Sequence, residues 1–414
     1  VRLPDFRGRI PPVPVHEKME CQEVTKVMDL SEILNELGED REAYFNAVAP
    51  PIIQSSNFAF READGLRRAL QDEYATNLYS RGQNPTVTIL RKKLAALDGA
   101  EDALVFSSGN AAVFTAVFAN VKAGDHIVSV DRPYSWTTRL FQNLLPRFGI
   151  TTTMIDGTRI ENFEQAIQPA TRILFLESPN SMTFELQDLE AVARLARERG
   201  LLTLIDNSYC SPLYQRPADF GIDLSMQTAT KYIGGHSDTV AGVLTGSNEL
   251  IRRIFASEFL NVGAAVSPMN AWLLLRSLRT LEVRLERIAS STEQLAGYVE
   301  SHPRVERIYY PFSRSFPQYE LARKQMKRAP GLFSAVLKAD RVEQIEAFCN
   351  SLRHFLLAVS WGGHESLVFP GCATLRPEEF DPSNFRHRLV RFYIGLEDPQ
   401  LLIRDIDQAF GKAF

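Results

Sequence analysis

The chain has 414 residues, 45% of them hydrophobic and 23% charged, which is ordinary globular composition with length for about two or three domains and a large core. Its formal net charge of -4, without a Lys/Arg-rich block, excludes a bulk basic field for nucleic acid. Cys21, Cys210, Cys349 and Cys372 lie far apart with no CxxC pair. That argues against a disulfide framework or a zinc site and fits a reducing cytosol.

Taken in order, residues 1 to about 25 read as an irregular, proline-rich tail. Arg2, Asp5, Arg7 and Arg9 leave no apolar segment there for a signal peptide. Asp29 to Leu37 carries Leu30, Ile33, Leu34 and Leu37 at helical spacing and stops at Gly38. Ala49 to Phe58 is extended because its prolines forbid a helix. Tyr79 to Pro85 is a loop, and a helix follows with apolar Val87, Leu90, Leu94 and Leu97.

From Asp98 to about Gly246 strands and helices alternate. The candidate strands are 103–106, 126–130, 152–155, 173–177, 202–206, 225–229 and 240–245, with a helix over 186–199 among the connections. The longest charge-free run, Ala103 to Val121, contains Ser107, Ser108, Gly109, Asn110, Thr115 and Asn120. It therefore reads as strand, tight loop and buried helix, not as a membrane span. The alternation predicts a mostly parallel sheet with a ligand crevice at its carboxyl ends, where Ser107, Glu177, Asp206 and Lys231 fall. Ser267-Pro268 is a good helix start, and one connector helix to about Ser301 leads into a smaller C-terminal α/β domain. The boundaries read as 1–75 (extension and arm), 76–266 (large domain) and 267–414 (connector and C-terminal domain).

Ser225-Met-Gln-Thr228-Ala-Thr230-Lys231 ends an apolar and hydroxyl run in one lysine before Gly234-Gly235. A lysine so placed, hydroxyls beside it and Asp206 at the end of the preceding strand suit a pyridoxal phosphate (PLP) site. The amine carries the cofactor, the hydroxyls hold its phosphate and the carboxylate faces the pyridinium nitrogen. Ser108-Gly109-Asn110 enters a helix directly from a strand and offers free N–H groups to a phosphate. Tyr134 follows a strand and could stack on a ring. Arg391 lies inside an apolar strand and needs an acceptor, either a neighbouring acid or a substrate. Ser360 to Ser366 is a glycine-containing loop. The histidines form no HxH or HxxxH pair, so no metal site is expected.

These spaced motifs, from about Ala49 to the C-terminus, resemble the Cys/Met-metabolism (transsulfuration) enzymes of PLP fold type I. Phe175 to Glu185, Ser360 to Leu367 and Ile394 to Asp398 resemble most the cystathionine β-lyase branch. The resemblance implies an aspartate-aminotransferase-like fold with a seven-stranded sheet and a smaller C-terminal domain. It implies Lys231 as the Schiff-base lysine, Asp206 on the pyridinium nitrogen and Tyr134 on the ring. Ser108, Gly109, Asn110, Thr228 and Thr230 would hold the phosphate, and Ser181 would lie by the cofactor's phenolic oxygen. Tyr79 and Arg81 would reach the partner's site across a dimer interface, Tyr79 also touching substrate. Arg391, helped by Ser360, would bind the substrate α-carboxylate. The expected partners are an amino-acid substrate and further copies of the chain, as a dimer of dimers in the cytoplasm, without nucleic acid or membrane.

The activity implied is β-elimination of cystathionine or a related thioether amino acid to homocysteine, pyruvate and ammonia. The alternative is a γ-acting relative: a cystathionine γ-synthase, a cystathionine or methionine γ-lyase, or an O-acylhomoserine sulfhydrylase. Val359, where many γ-acting members carry glutamate, favours the β-lyase.

Overall fold

The computed structural model describes residues 28–414; the expected N-terminal tail and Cys21 lie outside the described residues. A seven-stranded sheet forms one layer, built from β1 (Asp102–Phe106), β2 (His126–Val130), β3 (Thr151–Ile155), β4 (Thr171–Glu177), β5 (Leu202–Asp206), β6 (Leu224–Gln227) and β7 (Gly242–Gly246). Their order is β1-β7-β6-β5-β4-β2-β3. Only β7 runs against its neighbours, pairing antiparallel with both β1 and β6.

The central strands are buried along nearly their whole length because both faces are covered. In β4, Ile173 and Phe175 pack with Phe141, Leu204 and Val113 on one face. Leu174 and Leu176, one residue out of phase, pack with Leu189, Val192 and Ile205 on the other.

The five-stranded second sheet has the order β10-β11-β12-β9-β8. Its strands are β8 (Val305–Tyr309), β9 (Leu332–Leu337), β10 (Leu356–Leu357), β11 (Leu367–Pro370) and β12 (Leu389–Tyr393). Pairing is antiparallel except between β10 and β11.

Three expected boundaries shift. The single connector helix is two helices, Pro268–Leu278 and Leu281–Ser301. At the break the Thr280 hydroxyl donates to Ser277 O at 3.2 Å, and the buried Arg284 guanidinium donates to Ser277 O and Thr280 Oγ1. These bonds occupy groups a continuous helix would pair along its axis. The helix expected from Leu186 begins at Leu189. Leu186 N–H donates to Gln318 and Gln187 N–H to Ser178, so the backbone is already paired before Asp188 caps the helix. β6 ends at Gln227, not Ala229, because Thr228 N–H donates to Ser208 Oγ at 2.7 Å and leaves the ladder.

Among the described residues no helix is long and apolar enough to cross a membrane. No His/Cys/Asp/Glu group there is placed to hold a metal ion. Cys210, Cys349 and Cys372 are free and buried.

Candidate active site

The site gathers at the carboxyl ends of the parallel strands, as a doubly wound sheet dictates. β4 and β5 end in register on Glu177 and Asp206, and β6 leads through Thr228 to Lys231. A tight turn fixes the lysine: Lys231 N–H donates to Thr228 O at 3.1 Å, and Gly234 and Gly235 N–H donate to Ala229 O and Lys231 O at 2.7 Å.

Lys231 Nζ donates to Ser360 Oγ at 2.5 Å. Burial and the Arg391 charge push its ammonium down to about 8, against the pull of Asp206. Asp206 is buried, and its Oδ1 accepts from Ser208 N–H at 2.9 Å. Burial raises its carboxyl, opposed by the bonds from Ser208 and by Lys231.

Arg391 comes from the second sheet, opposite Ser334 on β9 and Phe369 on β11. Its guanidinium donates to Ser360 O at 3.3 Å and lies 3.9 Å from Met182 Sδ. No salt bridge joins it to a carboxylate among the described residues. Among the described residues no neighbouring acid therefore pairs with it, and burial pushes the guanidinium down to about 10. A cation left without an anion in partly buried surroundings is an anion-binding group. Ser360 bridges the two centres, with its hydroxyl on Lys231 and its carbonyl on Arg391.

Tyr134 lies near Asp206, Glu177 and Arg391. Its N–H donates to Glu177 Oε2 at 2.6 Å, and the residue is 44% exposed. Burial, Asp206 and Glu177 push its phenol up and outweigh Arg391, so it stays protonated at neutral pH.

On the other side of the strand ends, Ser108 caps the helix Gly109–Phe118, its Oγ accepting from Ala111 N–H at 3.1 Å. The backbone approaches closely here: a Cβ on Gly109 would collide with Thr228 Oγ1, and one on Gly242 with Ser108 O. Only glycine leaves this cradle of N–H groups open beside the Thr228 hydroxyl. A cavity of about 460 Å3 opens past Asn110, lined by Trp136, Thr137 and Arg139 among others.

Several of the expected residues are engaged by this chain or lie apart from Lys231. The Thr230 hydroxyl donates to Ala241 O and accepts from Ala241 N–H, so its proton is engaged by this chain's backbone. Ser181 Oγ donates to Glu177 Oε1 at 2.7 Å and so can only accept from a further partner. Among the described residues Tyr79 and Arg81 make no hydrogen bond or ion pair to Lys231, Asp206 or Arg391. Arg81 instead lies over the Tyr79 ring at 5.2 Å.

Three residues of the site went unassigned on the sequence. Glu177 joins Tyr134 to Ser181, and an acid closing an apolar strand is a visible signal for it. Ser208, two residues after Asp206, links that carboxylate to Thr228. Trp361 lies against Lys231, with no signal in the chain.

The family model described as Cys/Met metabolism PLP-dependent enzyme matches residues 33–411. An L-methionine gamma-lyase of Treponema denticola is 37% identical over 377 residues, 89% of this chain and 93% of that protein. A cystathionine gamma-lyase of Sus scrofa is 37% identical over 372 residues, 89% of each. The crystal structure of metB from Corynebacterium glutamicum superposes with a TM-score of 0.85 at 32% identity, covering 93% of this chain and 98% of that one.

Proposed function

From the premise that this chain belongs to the Cys/Met-metabolism PLP-dependent enzymes, with their type I fold, we propose that it is a carbon–sulfur lyase that cleaves a thioether amino acid by γ-elimination. The products are a thiol, 2-oxobutyrate and ammonia, with one water consumed. Arg391 carries the reading of an amino-acid substrate: it is a partly buried cation without a carboxylate partner among the described residues, joined through Ser360 to Lys231. γ-Elimination replaces the β-elimination expected from the sequence because the relatives compared are a methionine gamma-lyase and a cystathionine gamma-lyase. Val359 favours the β-reading only by the residue it lacks.

The residues present fit pyridoxal phosphate. Lys231 would hold it covalently, Asp206 would face its ring nitrogen and Tyr134 its ring. The N–H groups of Gly109 and Asn110, with Thr228, would hold its phosphate in the cradle that a Cβ would fill. When bound, this cofactor supplies an electron sink for the pair left when the Cα–H bond breaks.

The chain's own residues then move protons and hold geometry. Arg391 fixes the substrate carboxylate and so the direction of the Cα–H bond. Lys231, with a proton affinity lowered toward neutrality, takes the Cα proton, gives it up to the cofactor's side of the substrate, and as a free amine again takes one from Cβ. Tyr134 reaches the reaction as a phenol and gives its proton to the departing sulfur.

Incubation with L-methionine and, separately, L-cystathionine tests this. 2-Oxobutyrate from either supports γ-elimination; pyruvate from cystathionine alone returns the assignment to β-elimination. Lys231→Ala should also lose the visible absorption band of the holoenzyme, and persistence of the band would remove Lys231 from its role.

We also read Tyr79 and Arg81 as residues that serve a partner subunit's site, since they bond to none of the groups above. Mixing Arg81→Ala with Lys231→Ala protein should restore part of the activity neither has alone. No recovery, in subunits shown to exchange, would sink that reading.

A further inference from the structure

Lys231 Nζ lies 5.2 Å from the centroid of the Trp361 ring. The contact is held from both sides. Trp361 packs on Tyr232 with centroids 5.2 Å apart, and the Tyr232 hydroxyl accepts from Gly331 N–H at 2.8 Å. The loop carrying Trp361 presses directly on the lysine backbone: a Cβ on Gly362, where φ is +95°, would come within 2.7 Å of Lys231 Cα and C. Tyr393 Oη donates to Gly363 O at 2.6 Å and pins the far end. These contacts fix the loop backbone that carries the indole, and Tyr232 packs against the ring.

The charged groups acting on the amine are Arg391 from β12 and Asp206 from β5. Tyr134 and Glu177 face Asp206 from the segment after β2 and from β4. Among the described residues no carboxylate forms an ion pair with Lys231. Burial and Arg391 both oppose its ammonium, and the electron-rich indole face favours it.

We propose that Trp361 is a positioning residue whose indole face, together with the Ser360 hydroxyl, holds the freed Lys231 amine in its cationic form between proton transfers. The amine has to accept a proton, keep it and return it at a defined place. A ring packed on Tyr232, on a loop seated against the lysine backbone, attracts the ammonium more than the neutral amine and so strengthens Lys231 as a proton acceptor. Leucine would keep the side chain apolar, though smaller, without the quadrupole, while phenylalanine would keep a weaker one.

The inference rests on Lys231 being the proton-carrying lysine of the proposed lyase, but not on which keto acid is released. The test is trace acylation of the full-length, cofactor-free protein across a pH series, read by mass spectrometry at the Lys231 peptide. Trp361→Leu should label about fivefold faster below the midpoint of the wild-type curve, because its amine loses the proton more readily. Trp361→Phe should return part of the way. In the holoenzyme the acid limb of kcat should move in the same direction. Fluorinated tryptophans keep the shape, so graded ring fluorination should raise labelling stepwise even if the leucine variant fails to fold. A leucine variant that labels like wild type, a phenylalanine variant that labels like leucine, or a flat fluorination series overturns the proposal. Labelling is read without turnover, so failure of the lyase assignment leaves this result standing on its own.

Discussion

Glu177 and Asp206 stand opposite each other at the final register position of β4 and β5, both buried. Burial and the nearby Asp206 charge push the Glu177 carboxyl up. Asp206 has Lys231 to favour its anion, so the proton of the pair resides on Glu177. Glu177 nevertheless accepts from Tyr134 N–H and from the Ser181 hydroxyl, and so ties Tyr134 to the strand ends.

A neutral Glu177 makes Glu177→Gln a mild change, with kcat/KM falling less than about tenfold. Glu177→Ala strands two donors and should cost roughly 2–4 kcal/mol of stability, with a larger loss of activity. Denaturant midpoints and steady-state kinetics on both variants check this. Equal damage from the two would mean that the charge, not the bonding, is what the site uses.

Arg391 answers to a different measurement. In its proposed role Arg391 pairs with the substrate carboxylate, and removing such a partner costs about 3–4 kcal/mol. Arg391→Ala should therefore lose roughly a hundred- to thousandfold in kcat/KM. Lysine supplies a point charge in place of a fork, so Arg391→Lys should recover part of this. Inhibition by simple carboxylates should weaken in parallel. Undiminished binding of carboxylate inhibitors by Arg391→Ala would place the anion elsewhere.

At Gly109 the expected defect lies in cofactor retention. An alanine methyl would collide with Thr228 Oγ1 and come within 3.1 Å of Thr228 Cγ2. Gly109→Ala should weaken pyridoxal phosphate binding at least tenfold, on the order of the 1–3 kcal/mol that overpacking costs. Adding Thr228→Ala removes both of those atoms, so the double variant should bind better than the sum of the single losses predicts. Strict additivity, read by titrating the visible band, would show that the two residues do not share the cradle.

Much of this arrangement was legible in the chain because of how parallel sheets are buried. Strands covered on both faces must be continuous apolar runs, and polar residues at their ends stand out, as Asp206 and Glu177 do. Arg391 was visible for the same reason, as one charge in an apolar strand. What stayed hidden depends on contacts far apart in sequence. The Lys231–Trp361 pair is set by packing between the two sheets, which no local period encodes. The break at Arg279-Thr280 also escaped, since the apolar spacing continues through it. The competing bonds come from Arg284 and the Thr280 hydroxyl. The bonds of the Thr230 hydroxyl with Ala241 also stayed hidden, because they depend on the path of the chain after the glycine pair. A β- or γ-preference was the least legible feature, since both chemistries use the same lysine and arginine.

Asp98 gives a pH dependence away from the chemistry. It ends the helix Pro85–Asp98, is buried, accepts from Gln227 Nε2 at 3.1 Å and also accepts from the Thr245 hydroxyl. Burial pushes its carboxyl up to about 6, although the hydroxyl bonds and Arg216 oppose the rise. The folded protein therefore holds this proton more tightly than the unfolded chain, whose aspartates titrate near about 4. The stabilising contribution is complete below that value and is lost as pH rises through about 6. The difference corresponds to about 3 kcal/mol. A carboxamide cannot ionise, so Asp98→Asn should gain stability relative to wild type by about that amount between pH 4 and pH 7. Any constant cost of the amide shifts both ends equally and leaves the slope. Urea midpoints of the two proteins at four pH values across this window measure it, and a difference independent of pH would show that Asp98 is already ionised in the folded protein at pH 4.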